Sequence, residues 1–246
     1  MTPGDLEARV RHTLEAVRKV LGAEPRIDAA HHHLALAFDG EALTIEGEVG
    51  HVAAKRLALE RAAAVAGVRF IVDRLHVRPA KPMTDAEIRD HLCHALLGEP
   101  ALLRCAVRCW HGGREEALRE PEPAAGRIDV EVAGGVVTLS GEVPGLAHKR
   151  LAGVLAWWVP GSRDVVNGLE VLPAERDSAG ELADAVRLSL EKDPLVDATA
   201  VRVAVQGSVV RLEGSVPSRV QREMAEADAW YVFGVDEVQN RLEARS

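Results

Sequence analysis

One seven-residue pattern occurs three times in this chain. It reads LTIEGEV at 43–49, VTLSGEV at 137–143 and VRLEGSV at 210–216. Each copy alternates apolar and polar positions, the period of a strand with one buried face. Set Gly47, Gly141 and Gly214 as a common origin. Val49, Val143 and Val216 then stand two positions on, Gly67, Gly161 and Gly234 twenty positions on, and Leu75, Leu169 and Leu242 twenty-eight positions on. No gap is needed across that span, so the chain reads as three copies of one unit.

The rest of the unit follows from local pattern. A second alternating run precedes each motif: Leu34, Leu36 and Phe38; Ile128, Val130 and Val132; Val201, Val203 and Val205. Short glycine-containing joints link the two runs, as in hairpins. After each motif the spacing predicts a helix, at about 51–65, 145–158 and 218–232, with one face made by Ala58, Ala62 and Val65 or their equivalents. Gly67, Gly161 and Gly234 are expected to end these helices as C-caps. A third strand follows. A first helix precedes each hairpin, at about 5–21, 84–97 and 178–191; Thr84 with Glu87 and Ser178 with Glu181 have capping-box spacing. The predicted fold is α+β, with three tandem αββαβ units, each a small three-stranded mixed sheet covered on one face by two helices. The boundaries fall at 1–80, 81–175 and 176–246. A unit of about 60 residues is marginal alone, so the units are expected to pack together. The central glycines Gly47, Gly141 and Gly214 are expected on the buried face, where they admit a close backbone approach by a helix or mark a bulge.

This pattern resembles the BON domain, a small bacterial module. The residues that carry the resemblance are the VTLSGEV strand, the Ala-x3-Ala-x2-Val helix, Gly67-Val68 and Gly234-Val235, and the V-x-N-x-L strands at Val165–Leu169 and Val238–Leu242. The middle copy departs with Gly161-Ser162, and the first with Asp73 where the others have Asn167 and Asn240. The resemblance implies a non-enzymatic interaction module. It also implies an envelope or osmotic-stress role, with attachment to a phospholipid surface or a protein partner. Two alternatives stand beside it: a cytoplasmic ion or small-ligand sensor of the potassium type, and a structural homo-oligomeric scaffold. It implies no cofactor and no catalytic residues.

Composition narrows the field. The net charge of −8 argues against nucleic acid, whose binding needs clustered Lys and Arg. The charge is spread unevenly: residues 1–80 are neutral, and 177–246 carry −5. No apolar run is long enough to span a membrane. The charged N-terminal stretch shows no signal-peptide pattern, so a cytoplasmic location is expected, with peripheral membrane contact as an option. Three cysteines, an odd number, fit a reducing compartment better than a disulfide framework.

Four sets of residues are candidates for function. Lys55-Arg56 and Lys149-Arg150, early in the second helices, form an anionic-surface set or a solvated polar face. Trp157 and Trp230 occupy equivalent positions, about 140° from the centre of the buried helix face. They are read as a contact surface, between units, between copies or at a membrane interface. The middle copy carries about twenty extra residues near 101–127, expected as an apolar helix or strand over a neighbouring unit and then a polar tail. Cys105 and Cys109 lie there, with His91, Cys93 and His94 upstream. They form a loose zinc-ligand set built on Cys105, Cys109 and His91 or His94, or else core residues. His31, His32 and His33 precede a strand and are read as a solvated strand entry. Glu46 and Glu48 share an outward strand face and read as a surface pair, not a catalytic dyad.

Overall fold

Gly141 and Gly214 show how each repeat is built. Both hold positive φ (110° and 136°) within a strand. A Cβ on Gly141 would overlap the carbonyl oxygen of Arg127, and one on Gly214 that of Ala200. In each case the carbonyl belongs to the residue just before the glycine's cross-strand partner, Ile128 or Val201. The close approach is therefore made by the neighbouring strand, not by a helix as the sequence suggested, and these glycines are half-buried. The alanines at 58 and 62, 152 and 156, and 225 and 229 are fully buried. Their small size lets each second helix lie close on its sheet.

The computed structural model describes residues 3–27 and 34–245; the histidines at 31–33 lie outside them. The chain divides into two compact units, Met1–Arg78 and Pro79–Ser246. In the first unit, α1 (Pro3–Gly22) leads to β1 (Ala35–Phe38), β2 (Ala42–Val49), α2 (Val52–Ala63) and β3 (Phe70–Val77). The sheet order is β1-β2-β3. β1 runs antiparallel to β2, and β3 returns parallel to it through the α2 crossover.

The second unit holds two repeats. Its first half runs α3 (Asp85–Gly98), β4 (Cys105–His111), β5 (Arg114–Arg119), β6 (Gly126–Ala133), β7 (Val136–Val143), α4 (Leu146–Trp158), β8 (Asp164–Asn167) and β9 (Glu170–Val171). Its second half runs α5 (Ala179–Lys192), β10 (Val201–Gln206), β11 (Val209–Val216), α6 (Arg219–Tyr231) and β12 (Glu237–Ala244). α4 packs against both α5 and α6, so the second and third repeats share one body. Both expected N-terminal caps form: Thr84 makes a full capping box with Glu87, and Ser178 accepts from Glu181 N.

The extra residues of the middle repeat form a hairpin, β4 and β5, joined across Gly112-Gly113 with φ of 57° and 76°. β4 pairs parallel with β6. The sheet thereby grows to six strands in the order β5-β4-β6-β7-β8, with β9 also on β7. The insertion extends its own repeat's sheet instead of crossing a neighbour, and the stretch expected as a polar tail is the strand β5. Cys105, Val107 and Cys109 alternate into the core, which explains why an apolar run was legible there.

The second glycines are not C-caps. The helices α2, α4 and α6 are capped at Ala64, Val159 and Val232, and the glycines lie two or three residues beyond. Gly67 and Gly234 hold positive φ in the turn, but Gly161 does not. A Cβ on Gly161 would meet Met83 Cβ at 2.6 Å and Ile88 Cγ1 at 2.8 Å, so it is a packing glycine. Next to it Ser162 Oγ donates to Ala156 O at 2.8 Å. That bond occupies one of the carbonyls left open at the end of α4. No described helix is long and apolar enough to cross a membrane.

Candidate functional site

Lys55, Lys149 and Arg222 stand at the same repeat position, and what they meet depends on the third strand. Asn167 Nδ2 donates to Lys149 O at 2.8 Å, and Asn240 Nδ2 donates to Arg222 O at 2.9 Å. Each asparagine thus ties the last strand to the first turns of its helix. Asp73 replaces asparagine in the first repeat and has no N–H to donate. There the connection is reversed. Buried Lys55 reaches down from α2, with Nζ 2.9 Å from Asp73 Oδ2 and donating to Leu75 O at 2.6 Å. Lys55 is therefore a structural tie, and the expectation that it faces an anionic surface is corrected.

Arg150 is corrected likewise. It is 2% exposed, donating from Nε to Phe233 O at 2.9 Å and from Nη2 to Asp177 Oδ2 at 2.5 Å. It joins the second repeat to the third and to the segment between them. Lys149 is half-buried, its Nζ 4.4 Å from the centre of the Phe233 ring, and burial lowers its pKa. Arg56 is also half-buried. Burial removes Lys55 and Arg150 from the basic set, because a buried charge needs its own counter-charge within the fold, while Arg56 and Lys149 keep part of their surface exposed.

The tryptophans are spent inside the second unit as well. Trp157 stacks on Tyr231, centroids 5.8 Å apart and planes at 11°. Trp230 is only 1% exposed, where the helix geometry had suggested a solvent-facing ring. In the second unit α4 packs against α5 and α6, so the side of α4 and α6 away from their own sheets is covered by the neighbouring repeat. Trp158, which the spacing argument missed, donates from Nε1 to Asp228 Oδ1 at 2.9 Å. Asp228 is buried, and that burial pushes its pKa up to about 8; the Trp158 bond opposes the shift and Asp193 adds to it. Lys192 Nζ meets Glu99 Oε2 at 2.8 Å and joins α5 to the end of α3.

The cysteine–histidine set does not assemble. Cys93 and Cys109 bring their sulfurs together in the core of the second repeat. Cys105 is buried, and burial pushes its thiol pKa up, away from the thiolate that metals bind. His91 and His94 sit on the exposed side of α3. Among the described residues, no three His, Cys, Asp or Glu side chains converge on a metal position.

What the first unit leaves open is a sheet face. Phe70 and Val72 are 63% and 41% exposed on β3, which pairs only with β2 among the described residues. Farther along that face the carboxylates are paired, Glu46 with Arg74 at 3.6 Å and Glu48 with Arg78 at 3.1 Å.

A family model described as the BON domain matches residues 10–79, 114–173 and 178–246. The chain belongs to the BON domain family. The middle BON match begins at Arg114, the first residue of β5, so α3 and β4 lie outside it. Osmotically-inducible protein Y of Escherichia coli (strain K12) is 35% identical over 124 residues, which are 48% of this chain and 62% of that protein. The match thus spans less than two thirds of that relative's length. Among solved structures, the C-terminal domain of CdsD is similar over 95% of this chain and 97% of its own, at 12% identity and a TM-score of 0.25. CdsD is a structural protein of the Type III secretion system of Chlamydia trachomatis. A second CdsD structure is 13% identical with a TM-score of 0.24, over 95% of this chain and 92% of its own. Superpositions this loose carry no argument about the BON repeats here.

Proposed function

We propose that this chain is a non-enzymatic interaction module that holds a protein partner in an osmotic-stress or envelope-related response. Three BON repeats and the similarity to an osmotically inducible protein support the setting. The exposed Phe70 beside Val72 on an edge strand carries the choice of a protein partner. An aromatic anchor next to unpaired strand backbone suits protein contact. A phospholipid surface is the less favoured occupant. Lys55 and Arg150 are engaged inside the fold, and the net charge is −8.

A photocrosslinker placed at Phe70, in cells shifted to high osmolarity, tests this. The expected result is one discrete protein adduct, absent when the crosslinker sits at the exposed Glu60. Flotation with anionic vesicles across a salt series is the competing measurement. Salt-sensitive vesicle binding without a protein adduct would move the assignment to a lipid surface.

A further inference from the structure

A cleft of about 370 Å³ opens between α4 and α5, where the second repeat meets the third. Its walls are apolar, with Leu151 and Val154 on one side and Ala185 and Leu188 on the other. One end is polar and is built around Gly145, the N-cap of α4. Its φ of −176° is extended backbone that any residue adopts, so no conformational demand explains a glycine there. What the glycine leaves is space. A Cβ at that position would lie 3.1 Å from Glu175 Oε1 and 3.5 Å from His148 Nδ1.

Two acceptors thus converge on one small niche. Glu175 is held in place because its Oε2 accepts from Leu146 N at 2.8 Å, which leaves Oε1 turned to the niche. His148 Nδ1 is buried and has no hydrogen-bond partner among the described residues. A buried polar atom without a partner is uncommon and marks a place for a donor. In the neutral ring protonated at Nε2, Nδ1 accepts. The charge around the niche is mixed: the positive end of the α4 dipole opposes a cation, and the carboxylates around the cleft favour one. Glu181 and Asp184 line the same cleft, and Arg150, the one Lys or Arg in its lining, is neutralised by Asp177. Arg187, which pairs with Asp184 at 2.5 Å, offsets part of the negative charge.

We propose that this cleft binds a small organic cation, a protonated primary amine on an aliphatic stem. The ammonium sits in the Gly145 niche and donates to Glu175 Oε1 and His148 Nδ1 as charge-assisted hydrogen bonds. The stem lies along Leu151, Val154, Ala185 and Leu188, where water is displaced from apolar surface. These residues are distinct from the Phe70 face, so the two assignments stand or fall separately.

Calorimetric titration of the full chain at neutral pH with hexylammonium chloride tests the site, with hexanoate and hexanol as comparators. Saturable one-to-one binding of hexylammonium is expected, with no saturable binding of hexanoate and much weaker binding of hexanol. Gly145→Ala fills the niche without backbone strain. Glu175→Gln removes the charge while its amide oxygen still accepts from Leu146 N. Each is expected to weaken binding at least ~10-fold while the thermal midpoint stays within about 2 °C. Should Gly145→Ala fail to fold, Glu175→Gln decides alone. Absence of saturable hexylammonium binding overturns the site. So does equal binding of hexanol or hexanoate, and so does unchanged affinity in the folded variants.

Discussion

At Gly214 the motif glycine answers two demands at once, a φ of 136° and contact with the Ala200 carbonyl. Gly214→Ala is expected to cost about 3 kcal/mol or more, strain and overlap together. Gly180→Ala, in an exposed helical turn where a Cβ would meet only Ser178 Oγ in ordinary contact at 3.8 Å, should be neutral or stabilise by under ~1 kcal/mol. Denaturant midpoints of the two variants check this. Lys55 offers a sharper test. Lys55→Met deprives Asp73 of its cation and Leu75 O of its donor and should cost about 1.5–3 kcal/mol. Adding Asp73→Asn supplies the amide that Asn167 and Asn240 use in the other repeats. A double-mutant cycle should therefore show the pair recovering part of that loss. Equal losses in the single and double variants would sink the reversed-tie account. The departure at Asp73 was visible in the sequence. Its consequence was not, because Lys149 occupies the equivalent position beside an asparagine and behaves differently.

Among the elements, α4 and the inserted hairpin carry the most. Arg119, on β5, donates to three carbonyls: Cys105 O at 3.0 Å, Leu97 O at 3.1 Å and Leu102 O at 2.6 Å. It ties the hairpin to the end of α3, and Arg119→Met should cost at least ~2 kcal/mol. Faster amide exchange is expected in 105–119 before the rest of the second unit is affected. At the α4–α6 contact, the buried Asp228 sets a pH dependence. A carboxyl with a raised folded-state pKa stabilises fully below its unfolded value, and that contribution is lost as pH rises through the folded value. Stability of the second unit should therefore fall between the ordinary carboxylate range, near 3.8, and about 8. The limiting slope for one proton is about 1.4 kcal/mol per pH unit. Asp228→Asn should flatten that slope in urea melts taken across the range, while Asp197→Asn, on an exposed turn, should leave it intact.

The whole molecule consists of one single-repeat unit and one double-repeat unit. Within the latter, Arg150, the Trp157–Tyr231 stack, the Trp158–Asp228 bond and the Lys192–Glu99 pair all join the second repeat to the third. Residues 79–246 are therefore expected to melt as one cooperative transition. Arg150→Met leaves Phe233 O short of a donor and Asp177 of its cation. It should cost ~2 kcal/mol or more and split that transition in calorimetry of the full chain. A single unbroken transition at an unchanged midpoint would show that the other contacts suffice.

The repeat number, the αββαβ order shared by the repeats and the buried helix faces were determined by the sequence itself. Each is a local or periodic property, repeated at fixed spacing from Gly47, Gly141 and Gly214. Tertiary structure alone decided which polar and aromatic residues were consumed by packing. Trp157 and Trp230 read as a contact surface because helical periodicity places them away from their own sheet, and Lys55 and Arg150 read as an anion-facing set because they belong to basic pairs early in a helix. Periodicity, however, describes one repeat at a time. The carbonyls that Gly141 and Gly214 must accommodate come from the adjoining strand of the same hairpin, whereas the neighbouring repeat that covers Arg150 and Trp157 comes from residues far along the chain. The Gly145 niche has the same origin, since Glu175 reaches it from the segment after β9. Such convergence depends on how chain segments distant in sequence come together, and no spacing within a single repeat encodes it.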